Sequence, residues 1–153
     1  MSTCIVTAND GLPFADGVDR GRIIVRGADT EGRYSLMAWI VGAAAPGDCA
    51  GISYGAHRHH ECEETFLIRR GRLEFLLGDE VHSLQAGDFV RVPAGTRHGY
   101  ANTSGAEVEM LVSFMPAGLE ELFVRYRTDA VVPAVGDGFV ADATRFHATE
   151  FEA

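Results

Sequence analysis

Residues 57–64 read HRHHECEE, three histidines and three glutamates in eight positions. Imidazole and carboxylate are the donors that hold divalent transition metals. If the segment is extended, side chains alternate between faces. His57 and His59 then project to one side, roughly 6 to 7 Å apart along the backbone, while Arg58 points away. Two imidazoles so placed converge on one ion, with bonds of about 2.0–2.1 Å if that ion is zinc. Glu64 opens the next apolar run, ETFLIRRG, and shares parity with Phe66 and Ile68. A carboxylate heading a buried face is costly unless it is paired or bound to a cation. That face therefore needs a metal ion or a proton. Further along, GDFVRVPAGTRHGYAN places His98 just past a Pro-Ala-Gly turn. Pro93 presets φ there and Gly95 can take the positive φ of a tight reversal, which re-aims His98.

These residues need strands to carry them, and the chain supplies short ones. RYSLMAWIV (33–41), ETFLIRRG, RLEFLLGD, EVHSLQAGD, FVRVPAG and EVEMLVSFM are rich in β-branched or aromatic residues and are bounded by Gly, Asp, Asn or Pro. Strands at such even spacing imply a sandwich or barrel. Only AGLEELFVRY (117–126), with Leu119, Leu122, Phe123 and Tyr126 at helical spacing, reads as a helix, and it follows the last of these strands. The tail from Thr128 to Ala153 is weakly patterned and is expected to wrap the surface. No domain boundary or long linker interrupts residues 1–153, so a single domain is expected.

Composition excludes several classes. The chain is 46% hydrophobic and 23% charged, which is globular composition. A net charge of -9, with 22 acidic against 13 basic residues and no Lys/Arg block, argues against nucleic acid or an anionic membrane as partner. MSTCIVTANDGLPF lacks a basic stretch followed by an apolar one, and no run approaches about eighteen apolar residues. A cytoplasmic location is expected. Cys4, Cys49 and Cys62 form no CxxC and read as free thiols of a reducing compartment.

The spacing carries a family resemblance. Gly51, five residues, His57, one residue, His59, four residues, Glu64, six residues and Gly71 form one set. Gly87, five residues, Pro93, one residue, Gly95, two residues, His98, three residues and Asn102 form the second. Together they resemble the two motifs of the cupin superfamily, in order and separated by the 15 residues from Arg72 to Ala86. The match covers residues 51–102 directly, and strands at 33–42 and 107–115 suit the rest of such a barrel. The resemblance implies an all-β fold: a double-stranded β-helix, or jelly-roll barrel, followed by the short helix. It also implies one divalent transition metal ion, Fe, Mn, Ni, Zn, Co or Cu, on His57, His59, Glu64 and His98. The six-residue gap to Gly71 selects Glu64 over Glu63.

A divalent ion with three neutral imidazoles and one carboxylate keeps a formal charge of +1, and at six-coordination two positions stay open. Compounds with adjacent oxygen donors suit such a centre. The expected enzyme is a quercetinase-like dioxygenase acting on an aromatic, polyketide-like or hydroxyketone small molecule. A metal-dependent isomerase or cyclase, and a non-catalytic small-molecule-binding protein, are the alternatives. Glu64 is the candidate proton acceptor, and Tyr100, on the face of His98, the candidate polar contact to substrate. Phe66, Ile68, Phe75, Val112 and Phe114 are the candidate substrate-facing wall, with Leu73, Val90 and Val92 sharing their parity. Cys62 shares the parity of Glu64. His60, Glu61, Glu63, His82 and His147 read as surface residues, Arg97 as outward-facing and Asn102 as a turn or strand end. The segment from Ile5 to Phe14 is expected to extend the sheet of a second copy, giving a homodimer.

Overall fold

The computed structural model describes residues 4–16, 19–43, 56–125 and 146–151. Cys49, Gly51, Tyr126 and the part of the tail between 128 and 145 lie outside the described residues.

Among the described residues, eleven strands build two antiparallel sheets. The first contains β1 (Leu12–Asp16), β2 (Asp19–Val25), β3 (Ser35–Val41), β5 (Glu63–Arg70), β8 (Phe89–Val92) and β10 (Val108–Met115), in the order β1-β2-β3-β10-β5-β8. The second contains β4 (His57–His59), β6 (Arg72–Leu77), β7 (Glu80–Gln85), β9 (His98–Ala101) and β11 (Thr149–Phe151), in the order β11-β4-β9-β6-β7. The two sheets share one core, and the fold is the all-β jelly-roll barrel. One helix, α1 (Glu120–Arg125), follows β10.

Period-two burial explains why these segments are strands. Met37, Trp39 and Val41 of β3 are buried while their neighbours are half-buried, and Val108, Met110, Val112 and Phe114 of β10 repeat the pattern. β10 pairs with β3 on one side, Val112 opposite Met37, and with β5 on the other, Val112 opposite Phe66. The inward residues thus form continuous rows across the sheet, which is where sheet stability resides. Trp39, Phe14 and Phe123 close one end, with ring centroids 4.7 Å apart for Phe14 and Trp39 and 5.0 Å for Trp39 and Phe123.

The structure adds to the sequence reading at both ends of the chain and alters it at the helix. Within the segment from Ile5 to Phe14, Leu12 begins β1, which pairs with β2 of its own chain and lies at the edge of the first sheet. β2 itself, DRGRIIV, was not expected; Ile23 and Val25 face inward, and Arg20 leaves the sheet to meet Glu107 at 2.6 Å. The helix is shorter than 117–126, because Ala117, Gly118 and Leu119 form the approach to it and the hydrogen-bonded turns begin at Glu121 N–H to Gly118 O. The end of the tail does not merely wrap the surface: Thr149–Phe151 is a strand of the second sheet.

The helix is held against the barrel by two adjacent glutamates. Glu120 is fully buried, and its carboxylate accepts the N–H groups of Gly27 and Gly118, each at 2.7 Å. Glu121 receives the Arg26 guanidinium through bonds of 2.7 to 2.9 Å. Both ties run from the corner after β2 to the first turn of α1, and they set where Leu119, Leu122 and Phe123 sit.

Candidate metal centre

His57 and His59, two apart on β4, are both buried with Arg58 half-buried between them. β4 pairs with β9 so that His57 lies opposite His98. Glu64 arrives from the facing sheet, in register with Val92 on one side and Phe114 on the other. The turn before β9 fixes the third imidazole. Gly95 has φ +77, Thr96 N–H closes the turn on Pro93 O at 3.1 Å, and Gly95 N–H donates to His59 O at 2.8 Å. The Pro-Ala-Gly turn is thereby tied to the strand that carries the other two histidines. A side chain at Gly95 would be strained by that φ alone.

One ligand atom from each of His57, His59, Glu64 and His98 lies within 4.8 Å of the others. Donors about 2.0–2.2 Å from a shared ion are themselves about 3 to 4 Å apart, so the set suits one ion after a small inward movement. The hydrogen bonds sharpen this. Thr96 O, an acceptor only, sits 2.9 Å from His98 Nδ1, so Nδ1 carries a proton and Nε2 is the ring atom turned to the cluster. That Nε2 is 2.8 Å from Glu64 Oε2, and His59 Nε2 is 3.1 Å from the same oxygen. Two imidazole nitrogens around one carboxylate oxygen need a cation among them, a proton or a metal ion.

The electrostatics agree. Burial pushes the Glu64 carboxyl up, but hydrogen bonds from His59 and His98 and their charges outweigh it and hold it down at about 2. Burial pulls His98 down, and Glu64 more than offsets this, leaving the imidazole above its ordinary value. Cys62 is buried nearby but does not line the cavity, and its thiol is pushed up to about 12, first by burial and then by the Glu64 charge. An ion could bind this thiol only by displacing its proton.

His57, His59 and Glu64 line a cavity with about 470 Å³ of empty space, part of it open to solvent, and His98 is buried beside them. Of the candidate wall residues, Phe66, Tyr100, Val112 and Phe114 line it. Ile68, Leu73 and Val92 are instead core residues, and Phe75 packs behind Phe66 at a centroid distance of 4.9 Å. Phe75 and Val90 border a separate, wider cleft beside β7 and β8. Trp39 and Met110 complete the wall, Leu119, Leu122 and Phe123 come from the helix end, and Thr149 and Phe151 come from β11. The helical spacing of the first three was legible, but only the fold shows that their apolar face covers the centre. No Lys or Arg is among the described lining residues.

His60 and His82 are exposed, and Glu63 turns outward to Arg91 at 2.5 Å. Asn102 is buried and organises the turn after β9, donating to Gly42 O at 3.0 Å and Ala106 O at 2.7 Å and accepting from Ser104 N–H. Arg97 is half-buried and donates to Gly78 O at 3.0 Å. His147 is not a plain surface residue: it is half-buried, its Nε2 lies 3.1 Å from Ala117 O, and burial lowers its pKa. Among the described residues no helix is long and apolar enough to cross a membrane.

Comparison with known proteins agrees with this geometry. Residues 45–114 match the family model described as "Cupin domain". A 50-residue stretch, 33% of the chain, is 38% identical to quercetin 2,3-dioxygenase of Bacillus subtilis, of which it covers 15%. A 65-residue stretch, 40% of the chain, is 43% identical to acireductone dioxygenase 1 of Nocardia farcinica, of which it covers 33%. The chain spans half or less of the length of the curated relatives it matches. A predicted oxalate decarboxylase from Thermotoga maritima superposes over 74% of this chain and 99% of its own, with TM-score 0.64 and 17% identity, a likeness of fold alone. With both motifs and the two-sheet barrel, the family model over residues 45–114 identifies this part of the chain as a cupin domain.

Proposed function

We propose that the chain is a small metal-dependent dioxygenase. It holds one divalent transition metal ion on His57, His59, Glu64 and His98 and acts on a neutral aromatic, polyketide-like or hydroxyketone compound with adjacent oxygen donors. The observation that carries the reading is that three of the four cluster residues, His57, His59 and Glu64, line an aromatic cavity whose described lining has no cationic side chain. A phosphorylated or carboxylated substrate would call for Lys or Arg there. The two dioxygenases among the relatives support oxygen chemistry.

When bound, the ion supplies Lewis acidity that lowers the pKa of a chelating hydroxyl or α-hydrogen. The remaining work falls to the chain. Glu64 is the anionic acceptor on the wall; a carboxyl held at about 2 is a weak base, so it takes a proton only from a group already acidified. Tyr100, buried on the same wall, orients the substrate through its phenol. Trp39, Phe66, Phe114 and Phe123 offer flat apolar surface to a planar compound and exclude water from the reacting atoms.

The test is a screen of flavonol-like and polyketide-derived compounds, followed by assays under nitrogen and with Fe(II) replaced by Zn(II). Turnover that requires dioxygen and fails with zinc supports the proposal. Full anaerobic turnover with zinc replaces oxygenation by isomerisation or cyclisation. Tight binding of a compound with no metal-dependent turnover makes the protein a binding module. We extend the proposal to a homodimer, for which light scattering is expected to give about twice the 16.5 kDa chain mass.

A further inference from the structure

β11 has three residues and pairs with β4 in a register that sets Thr149 opposite His59, Glu150 opposite Arg58 and Phe151 opposite His57. Residues opposed across an antiparallel pair share a face. Thr149 and Phe151 therefore enter the barrel with the two histidines, and Glu150 stays outside, where its carboxylate meets His60 Nε2 at 2.8 Å. The turn before the strand is pinned at both ends. His147 O accepts His60 N–H at 3.0 Å and Glu61 N–H at 3.3 Å, and the His147 ring donates to Ala117 O at 3.1 Å. The ring occupies space that only a glycine leaves open, since a Cβ on Gly118 would stand 2.7 Å from His147 Nε2.

Within this clasp Thr149 has one hydroxyl hydrogen and two neighbours. Phe146 O, 2.8 Å away, can only accept, so the hydroxyl donates there. Its lone pairs then face His59 Nδ1 at 2.8 Å and accept that proton. Nδ1–H is thereby fixed on Thr149, which leaves Nε2, 3.1 Å from Glu64 Oε2, as the ring atom that faces the ligand cluster and would bind an ion. Thr96 O does the same for His98 from two residues away, whereas His59 depends on a residue 90 positions further along the chain. We propose that Thr149 is a positioning residue of the metal centre, fixing the tautomer and ring orientation of His59, so that the C-terminal strand completes the ligand set. The inference rests on the reading of His57, His59, Glu64 and His98 as metal ligands.

Hydrogen-bond partners of ligating histidines typically contribute about 10- to 100-fold to metal affinity. Zinc affinity of the full chain, measured by competition with a chromophoric chelator, is expected to fall by about that factor in Thr149→Val and to stay within about threefold in Thr149→Ser. Nitrogen-15 spectra of the histidine rings in the zinc-loaded wild type are expected to show His59 protonated at Nδ1. A Thr149→Val protein that binds zinc as the wild type does, an equal loss in the Val and Ser variants, or a His59 protonated at Nε2 would each overturn the inference. The wild-type spectrum decides even if Thr149→Val does not fold. A wild-type chain that takes up no ion overturns the metal reading itself, and this inference with it.

Discussion

Glu64 Oε2 and His98 Nε2 meet at 2.8 Å across the gap between the two sheets, the carboxylate from β5 and the imidazole from β9. The same oxygen also reaches His59 Nε2 at 3.1 Å. One carboxylate thus joins both walls of the barrel at its floor, and most of the measurable consequences begin there.

Removing any imidazole takes away one of the four donors that the described residues bring together. Purified protein is expected to carry close to one equivalent of a divalent transition metal, and His57→Ala, His59→Ala and His98→Ala are each expected to weaken metal binding by at least about tenfold. Elemental analysis after dialysis checks it. Unchanged metal content in all three variants contradicts the assignment.

Metal uptake is expected to release protons. His98 has a raised pKa because Glu64 favours its charged form, so below that pKa an incoming ion must displace a proton. Affinity should climb with pH by about tenfold per unit for each proton displaced and level off above the raised value. The metal-free protein shows the mirror image. Stability drawn from the His98 charge is complete below the ordinary value of 6.5 and is lost as pH rises through the higher folded value. That drawn from ionised Glu64 is complete above 4.5 and is lost as pH falls through about 2. Competition titrations and denaturant curves over pH measure the two sides, and a pH-independent affinity rules the mechanism out.

Glu120→Ala is expected to destabilise the fold by about 3 kcal/mol, because it strands two amide N–H groups that now bond a buried carboxylate. Glu120→Gln, which keeps an acceptor oxygen, should lose less. Urea denaturation of the metal-loaded proteins compares them. Equal stability of Glu120→Ala and wild type would mean that the corner after β2 does not hold the helix.

Two cavity variants separate chemistry from containment. Tyr100→Phe should leave metal content unchanged while lowering turnover by about tenfold or more, since only a phenol contact is removed. Phe123→Ala should raise KM more than it lowers kcat, because it opens the apolar wall without touching the ligands. Steady-state kinetics on a substrate from the screen discriminate them. A Tyr100→Phe enzyme with full kcat removes that residue from the reaction.

How much of this was visible in the chain differs by residue, and the reasons are physical. The spacing of His57, His59, Glu64 and His98 could be read because the strand period alone puts alternate residues on one face. β2 was hidden: Asp19, Arg20 and Arg22 break an otherwise apolar run, and the partner of Arg20, Glu107, lies 87 residues away. β11 is three residues long, and its identity as a strand comes wholly from pairing with β4 across 90 positions. Ile68 and Phe75 carry the right parity but sit too deep in the barrel to line the cavity. Parity gives the face of a strand and says nothing of depth along it. Leu119, Leu122 and Phe123 have the spacing of a core-facing helix, and only the Glu120 and Glu121 ties explain why that face covers the metal centre.

The clasp of β11 also imposes an order on how the site matures. His57, His59, Glu64 and His98 have all been synthesised before Thr149, and 51 residues separate the last of them from that hydroxyl. At about 5–20 residues per second, several seconds of translation pass with the donors made and the tautomer of His59 not yet set. If Thr149 holds His59 as proposed, the donor set is complete only when the last strand has docked on β4.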